Sequence, residues 1–161
     1  MSDKLLLCTD MDRTLIPNGP QPETVNARQL FSDFANKPEV SLAYVTGRHQ
    51  NLIKKAINNY CLPTPDFVIG DVGTTIYHVS DSDNWQRQME WETHIAKDWA
   101  GHERKDLKAL LSDVHALRPQ ESSKQNSFKL SFYVPLQTNR QALDTLIEQR
   151  FSEKNINASL R

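Results

Sequence analysis

Three short apolar runs, each giving way to a polar residue at its carboxyl end and separated by stretches of helical period, constrain this chain more than any other feature. The runs are Lys4–Asp10, Val40–Val45 and Phe67–Gly70. Each has the length and apolar density of a strand buried in a parallel sheet. Between the first two, Glu23–Asn36 places Ala27, Leu30, Phe31 and Phe34 on one helical face. Between the second and third, Arg48–Tyr60 does the same through Leu52, Ile53, Ala56 and Ile57. Pro38, Pro63 and Pro65 end these segments. The order strand, helix, strand, helix, strand predicts a βαβαβ unit, and hence an α/β fold with a parallel sheet. Ligands of such sheets gather beyond the carboxyl ends of the strands. Asp10, Thr46 and Asp71 are the residues found at those ends. Cys8, at the end of an apolar run, is expected to be a buried small hydrophobe.

After a short strand at Thr75–Val79 and a polar hinge at Asp81–Asn84, the rhythm changes. Trp91, Ile95 and Trp99 form one helical stripe, and Leu107, Leu110, Leu111, Val114 and Leu117 form a second. Phe128–Val134 alternates, with Phe128, Leu130, Phe132 and Val134 on one side and Lys129, Ser131 and Tyr133 on the other. That pattern predicts a strand with one packed and one wet face. Leu143, Leu146, Ile147 and Phe151 mark a last helix. Residues 1–80 are thus expected to form one domain and residues 81–161 a second, smaller α+β layer.

Composition removes several function classes. The 161 residues carry 19 basic and 20 acidic side chains, a net charge of −1. Near-zero net charge argues against an electrostatic nucleic-acid binder, which needs a basic stripe to neutralise phosphates. No apolar run reaches the length of a membrane span, and Leu5-Leu6-Leu7-Cys8 is too short for a secretion signal. Two cysteines, Cys8 and Cys61, build no disulfide framework, so a cytoplasmic location is the expectation. The five histidines show no metal-ligand spacing, and the absence of a glycine-rich phosphate loop disfavours a nucleoside triphosphatase.

The sharpest local signal is Asp10-Met11-Asp12-Arg13-Thr14, directly past the first strand. Two carboxylates at this spacing can converge on one cation or one phosphate, which is the logic of phosphoryl transfer through an acyl-phosphate. A Mg²⁺ ion offsets the repulsion between carboxylate and phosphate dianion. The second carboxyl group protonates the leaving oxygen and then activates water. The plainer alternative is a pair of loop carboxylates, one of them capping a turn. Thr46, followed by Gly47 and a helix, is placed either to hold a phosphate oxygen or to cap that helix. Arg48 reads as a substrate contact or as a solvated side chain at the helix start.

Taken in order, Asp10-Met11-Asp12-Arg13-Thr14, Val45-Thr46-Gly47-Arg48 and Val72-Gly73-Thr74-Thr75-Ile76-Tyr77 resemble the haloacid dehalogenase (HAD) superfamily of phosphatases. The branch they look most like is the sucrose-phosphate phosphatases, whose C2-type cap follows the second motif. The stretch Asn126–Tyr133 looks like that branch's cap strand. The resemblance implies a Rossmann-like half-core with an α+β cap. It implies Asp10 as nucleophile and Mg²⁺ ligand, and Asp12 as general acid/base with its carbonyl on the metal. It implies Thr46 as the phosphoryl-binding residue, with Gly73 and Thr74 near the mouth of the site. Arg13 stands where the family often has a small or amide residue. The family's third motif, with a Lys, and its fourth, with an acidic pair, do not occur before Arg161.

The expected function is Mg²⁺-dependent hydrolysis of a sugar phosphate monoester, with sucrose 6-phosphate the leading substrate. The substrate-binding candidates are Thr46, Gly47, Arg48, Gly73, Thr74 and Lys129. Lys129 enters because a cap strand face carrying Lys129, Ser131 and Tyr133 suits a sugar phosphate. Phosphatases for mannosyl or trehalose phosphates remain open. So does a non-catalytic module that binds sugar phosphate or a sucrose-phosphate synthase-like partner. A sheet without later strands exposes an edge and an apolar face, so association with a partner or with itself is expected.

Overall fold

The structure, a computed structural model, describes residues 4–17, 19–20 and 23–160. Two compact units make up the chain, Met1–Gln88 and Met89–Arg161.

In the first unit, β1 (Leu5–Asp10), β2 (Val40–Val45) and β3 (Phe67–Gly70) run parallel, as the apolar runs predict. The helices α1 (Ala27–Ala35) and α2 (Gln50–Tyr60) lie in the two connections. Helix α1 begins four residues later than its apolar period suggests. Asn26, in the left-handed region at φ 65°, turns the chain immediately before it. Two antiparallel strands, β4 (Thr75–Val79) and β5 (Trp85–Arg87), complete a five-stranded sheet in the order β1-β2-β3-β4-β5. The polar stretch Asp81–Asn84 is the turn of this hairpin, and the Asp81 carboxylate accepts hydrogen bonds from the backbone N–H groups of Asp83 and Asn84. Such an Asx arrangement stabilises a tight turn. Sequence composition drew the domain division after residue 80, whereas β5 keeps the chain with the first unit as far as Gln88.

The core of this unit is made by Leu42 and Tyr44 of β2, Ile53 and Ala56 of α2, Val68 of β3, and Met11 and Ile16 of the turn after β1. Strand β1 does not behave as a fully buried strand. It forms the edge of the sheet, with β2 its one neighbour among the described residues. Leu7 packs on the core, while Leu6 stays 59% exposed and Cys8 is exposed. Parallel register puts Leu6, Cys8 and Asp10 beside Ser41, Ala43 and Val45, and these beside Phe67 and Ile69. Side chains of paired residues share a face. Phe67 and Val45 are exposed on this one while Ala43 is buried, so among the described residues this apolar sheet face is only partly covered. The expectation of a buried Cys8 therefore fails, because periodicity reports an apolar strand but not how many sides of it are covered.

In the second unit, α3 (Met89–Ala96) continues into a 3₁₀ turn through Trp99. Helix α4 spans Arg104–Leu110 and α5 spans Arg140–Ser152. Glu103 and Asp106 close a reciprocal capping box at the start of α4, and the Asn139 side chain accepts from the Ala142 N–H at the start of α5. The core gathers Trp99, Leu107, Leu111, Val114, Leu143, Ile147, Phe151 and Ile156. Trp99 meets Phe128 edge-on with centroids 5.4 Å apart. The stripe from Leu107 to Val114 is buried as read, but the helix carrying it stops at Leu110 and turns supply the rest.

The strand expected over Phe128–Val134 is reduced to β7 (Phe132–Tyr133), paired with β6 (Arg118–Pro119). Phe128, Leu130, Phe132 and Val134 still pack on the core. The Gln125 side chain replaces a neighbouring strand. It accepts from the Ser131 N–H and donates to the Ser131 and Gln120 carbonyls. A side chain that satisfies these backbone groups removes the need for a ladder.

Candidate active site

The candidate residues of the first unit converge on the carboxyl ends of β1, β2 and β3. Asp10 is the last residue of β1 and lies in register with Val45, the last residue of β2. Thr46 follows, buried at 5% exposure, with its N–H donating to the Ile69 carbonyl at 2.9 Å. The acidic tip and the hydroxyl are therefore on adjacent strands of one sheet. Asp10 is exposed and Asp12, two residues on, is exposed as well.

The turn after β1 is tight. The N–H groups of Leu15 and Ile16 both donate to the Met11 carbonyl, and the Arg13 N–H donates to the Ile16 carbonyl. Met11 and Ile16 are buried, which pins the turn from below. Arg13 adopts φ 63°. A small or amide residue tolerates that region better, which explains why such a residue suits this position. Thr14 is exposed.

Thr46 does not cap the following helix. The cap position of α2 is His49, and the Thr46 hydroxyl oxygen instead accepts from the Arg48 N–H at 3.3 Å. Gly47 is exposed, with open space where a Cβ would stand. The β3–β4 turn closes over the same loop. The Asp71 N–H donates to the Arg48 carbonyl at 2.9 Å and the Val72 N–H to the Thr46 carbonyl at 3.3 Å. Asp71, Val72 and Gly73 all have positive φ, at 52°, 63° and 91°. The Thr74 hydroxyl donates to the Asp71 carbonyl at 2.9 Å. Gly73 and Thr74 thus stand at the same end of the sheet as Thr46, joined to it through backbone hydrogen bonds.

One contact has no counterpart in the linear motifs. The Arg48 guanidinium grips both oxygens of Asp12, with Nε at 3.1 and 2.9 Å from Oδ1 and Oδ2 and Nη2 at 2.6 Å from Oδ1. The side chains are 27% and 50% exposed. Hydrogen bonding from Arg48 holds the Asp12 carboxyl below the usual carboxylate range, and Asp12 raises Arg48 in turn. The two residues are 36 positions apart, so no local pattern announces the pair.

Lys129 belongs to the second unit and is half-buried, in a turn where its N–H donates to the Asn126 carbonyl at 3.4 Å. Its neighbours on the alternate face are engaged. The Ser131 hydroxyl donates to the Lys124 carbonyl, and the Tyr133 hydroxyl donates to Glu121 while accepting from Lys124 Nζ at 3.0 Å.

The sucrose-6F-phosphate phosphohydrolase family matches residues 3–160. The chain belongs to that family. A HAD-like hydrolase of Nitrosococcus oceani is 46% identical over 159 residues, covering 99% of this chain and 43% of that protein. A glucosylglycerol-phosphate synthase of Pseudomonas anguilliseptica is 33% identical over 97 residues, which are 60% of this chain and 12% of that protein. The fold matches the sucrose-phosphatase of Synechocystis, solved with sucrose and phosphate, at a TM-score of 0.71 and 23% identity. That match covers 95% of this chain and 57% of that one. The chain accordingly spans about half the length of the HAD relatives it matches. Membership of this sucrose-phosphatase-like branch of the HAD phosphatases agrees with the three motifs, and the α/β architecture agrees with the strand order. Among the described residues no helix is long and apolar enough to cross a membrane.

Proposed function

We propose that this family member serves the hydrolysis of a sugar phosphate monoester, with sucrose 6-phosphate as the favoured substrate. The observation that carries the reading is the placement of Asp10 and Thr46 on adjacent strand ends, with Asp12 on the turn directly beyond. An Asp10 carboxylate oxygen attacks phosphorus and the bond to the sugar oxygen breaks. Asp12 gives that oxygen its proton, and the sugar leaves as an alcohol. Asp12 then takes a proton from water, whose oxygen attacks the aspartyl-phosphate and frees inorganic phosphate. The Thr46 hydroxyl holds a phosphoryl oxygen, with Gly47 and Arg48 beside it and Gly73 and Thr74 at the mouth. Lys129 is the substrate-binding candidate that the second unit offers.

The donor set suits Mg²⁺ in kind, since a carboxylate of Asp10 and the backbone carbonyl of Asp12 are hard oxygen ligands. Among the described residues no group of three or more acidic, histidine or cysteine side chains forms a cage. Mg²⁺ often binds through one or two carboxylates, substrate phosphate and water. Bound there, it would neutralise charge between the Asp10 carboxylate and the phosphoryl group.

The partial match to a glucosylglycerol-phosphate synthase supports a second element of the reading, association with a sugar-phosphate synthase. A cytoplasmic site of action is part of this proposal, since Cys8 and Cys61 are free thiols that build no disulfide framework.

The test is sucrose 6-phosphate hydrolysis with Mg²⁺, in the wild-type chain and in Asp10→Asn, together with mass analysis of the acid-quenched protein. A phosphoryl adduct on Asp10, and a fall in turnover of at least about 10³ in the variant, are expected. Near-full turnover by Asp10→Asn would refute the nucleophile.

A further inference from the structure

The clasp between Arg48 and Asp12 conflicts with the work assigned to Asp12. Both Asp12 oxygens are engaged by one guanidinium, through Nε and Nη2. Oδ1 accepts two of these N–H bonds and Oδ2 one, so the clasp commits most of the carboxylate's acceptor sites to Arg48 and not to a leaving sugar oxygen or to water. The base of Arg48 is fixed, however. Its N–H donates to the Thr46 hydroxyl oxygen, its carbonyl accepts from the Asp71 N–H, and a Cβ on Gly70 would stand 3.1 Å from that carbonyl. The backbone pivot therefore stays beside Thr46, and only the side chain is free to change partner. A guanidinium fork matches a phosphoryl group as well as it matches a carboxylate.

We infer that Arg48 is a positioning residue that exchanges partners. In the clasp it holds the Asp12 carboxylate to itself. An arriving phosphoryl group competes for the same two N–H donors, takes Arg48, and frees Asp12 for proton transfer. Thr46, which anchors the Arg48 backbone, is also the residue assigned to the phosphoryl group, so one binding event engages both. Substrate arrival and Asp12 release are then one step, and Asp12 stays masked when nothing is bound. This inference rests on the reading of the site as phosphoryl-binding.

The exchange is read directly by the Nε–H resonance of Arg48, using inorganic phosphate as the probe. Without phosphate, Asp12→Asn shifts that resonance, because Asp12 is its acceptor. At saturating phosphate, the wild-type and Asp12→Asn resonances coincide, because both then face the phosphoryl oxygens. A wild-type resonance that keeps its full difference from Asp12→Asn at saturation would show that Arg48 never lets go, and would overturn the exchange while leaving the phosphoryl site intact. No saturable shift at the Thr46 and Gly47 amides would remove the phosphoryl site itself. Arg48→Lys and Arg48→Ala supply a second measurement. Loss of the fork is expected to weaken phosphate binding about tenfold in Arg48→Ala, with partial recovery in Arg48→Lys. Equal affinity in all three proteins would refute the handover.

Discussion

Two single residues set the precision of the loop end. Gly70 is one. A Cβ there would lie 3.1 Å from the Arg48 carbonyl and 3.3 Å from Ile53 Cδ1, one a backbone atom and the other the tip of a fully buried side chain. Gly70→Ala is expected to cost about 1–3 kcal/mol of unfolding free energy, measured by denaturant titration, since neither neighbour moves cheaply. An unchanged midpoint would mean that the β2–α2 loop is free to shift. The other is Lys129. On the proposed reading it contacts bound substrate, so Lys129→Ala should raise KM by about tenfold and lower kcat far less. Steady-state kinetics with sucrose 6-phosphate separate the two, and unchanged constants would leave Lys129 as an ordinary turn residue. The motif residues were legible at this scale because the chemistry needs those side chains at strand ends. The Arg48–Asp12 pair was not, because the two residues meet only after two strands pair in register.

Between elements, the clearest charged tie joins the turn after α4 to α5. Arg150 donates to the Leu110 carbonyl at 2.7 Å and clasps the Asp113 carboxylate, with Nη2 at 2.8 Å from Oδ2. Hydrogen bonding from Arg150, then from the backbone, brings the Asp113 carboxyl down to about 2. A carboxyl depressed in the folded state contributes stability above its unfolded value of about 3.9 and loses it as pH falls through the folded value. The Tm difference between wild type and Asp113→Asn should therefore be largest at neutral pH and vanish as pH approaches about 2. A difference that persisted there would assign the effect to packing. The same scale shows where periodicity misleads. The apolar alternation of Phe128–Val134 survives as burial, yet the ladder does not, since the Gln125 side chain satisfies the Ser131 backbone. Alternation reports which side chains are covered. It says nothing of which group completes the hydrogen bonds.

Across the whole molecule, each unit holds its own core, and the first leaves one sheet face only partly covered around Leu6, Cys8 and Phe67 among the described residues. Cys8 and Cys61 are both exposed. Both thiols of the native protein should therefore react rapidly with an aromatic disulfide reagent, each forming a mixed disulfide and releasing one equivalent of aromatic thiolate. One fast and one protected thiol, with Cys8 the protected one, would show that a partner or a second copy covers β1. The sequence by itself determined the order of elements, the parallel pairing of the first three strands and the acidic strand tip. All of these follow from local periodicity, from proline breaks and from the chemistry of side chains a few positions apart. Only the tertiary structure decided that β1 is an edge, that Cys8 is exposed, and that Arg48 rather than solvent occupies Asp12. Those outcomes depend on which distant segments come to lie alongside, and coverage and long-range ion pairing leave no trace in any short window of sequence.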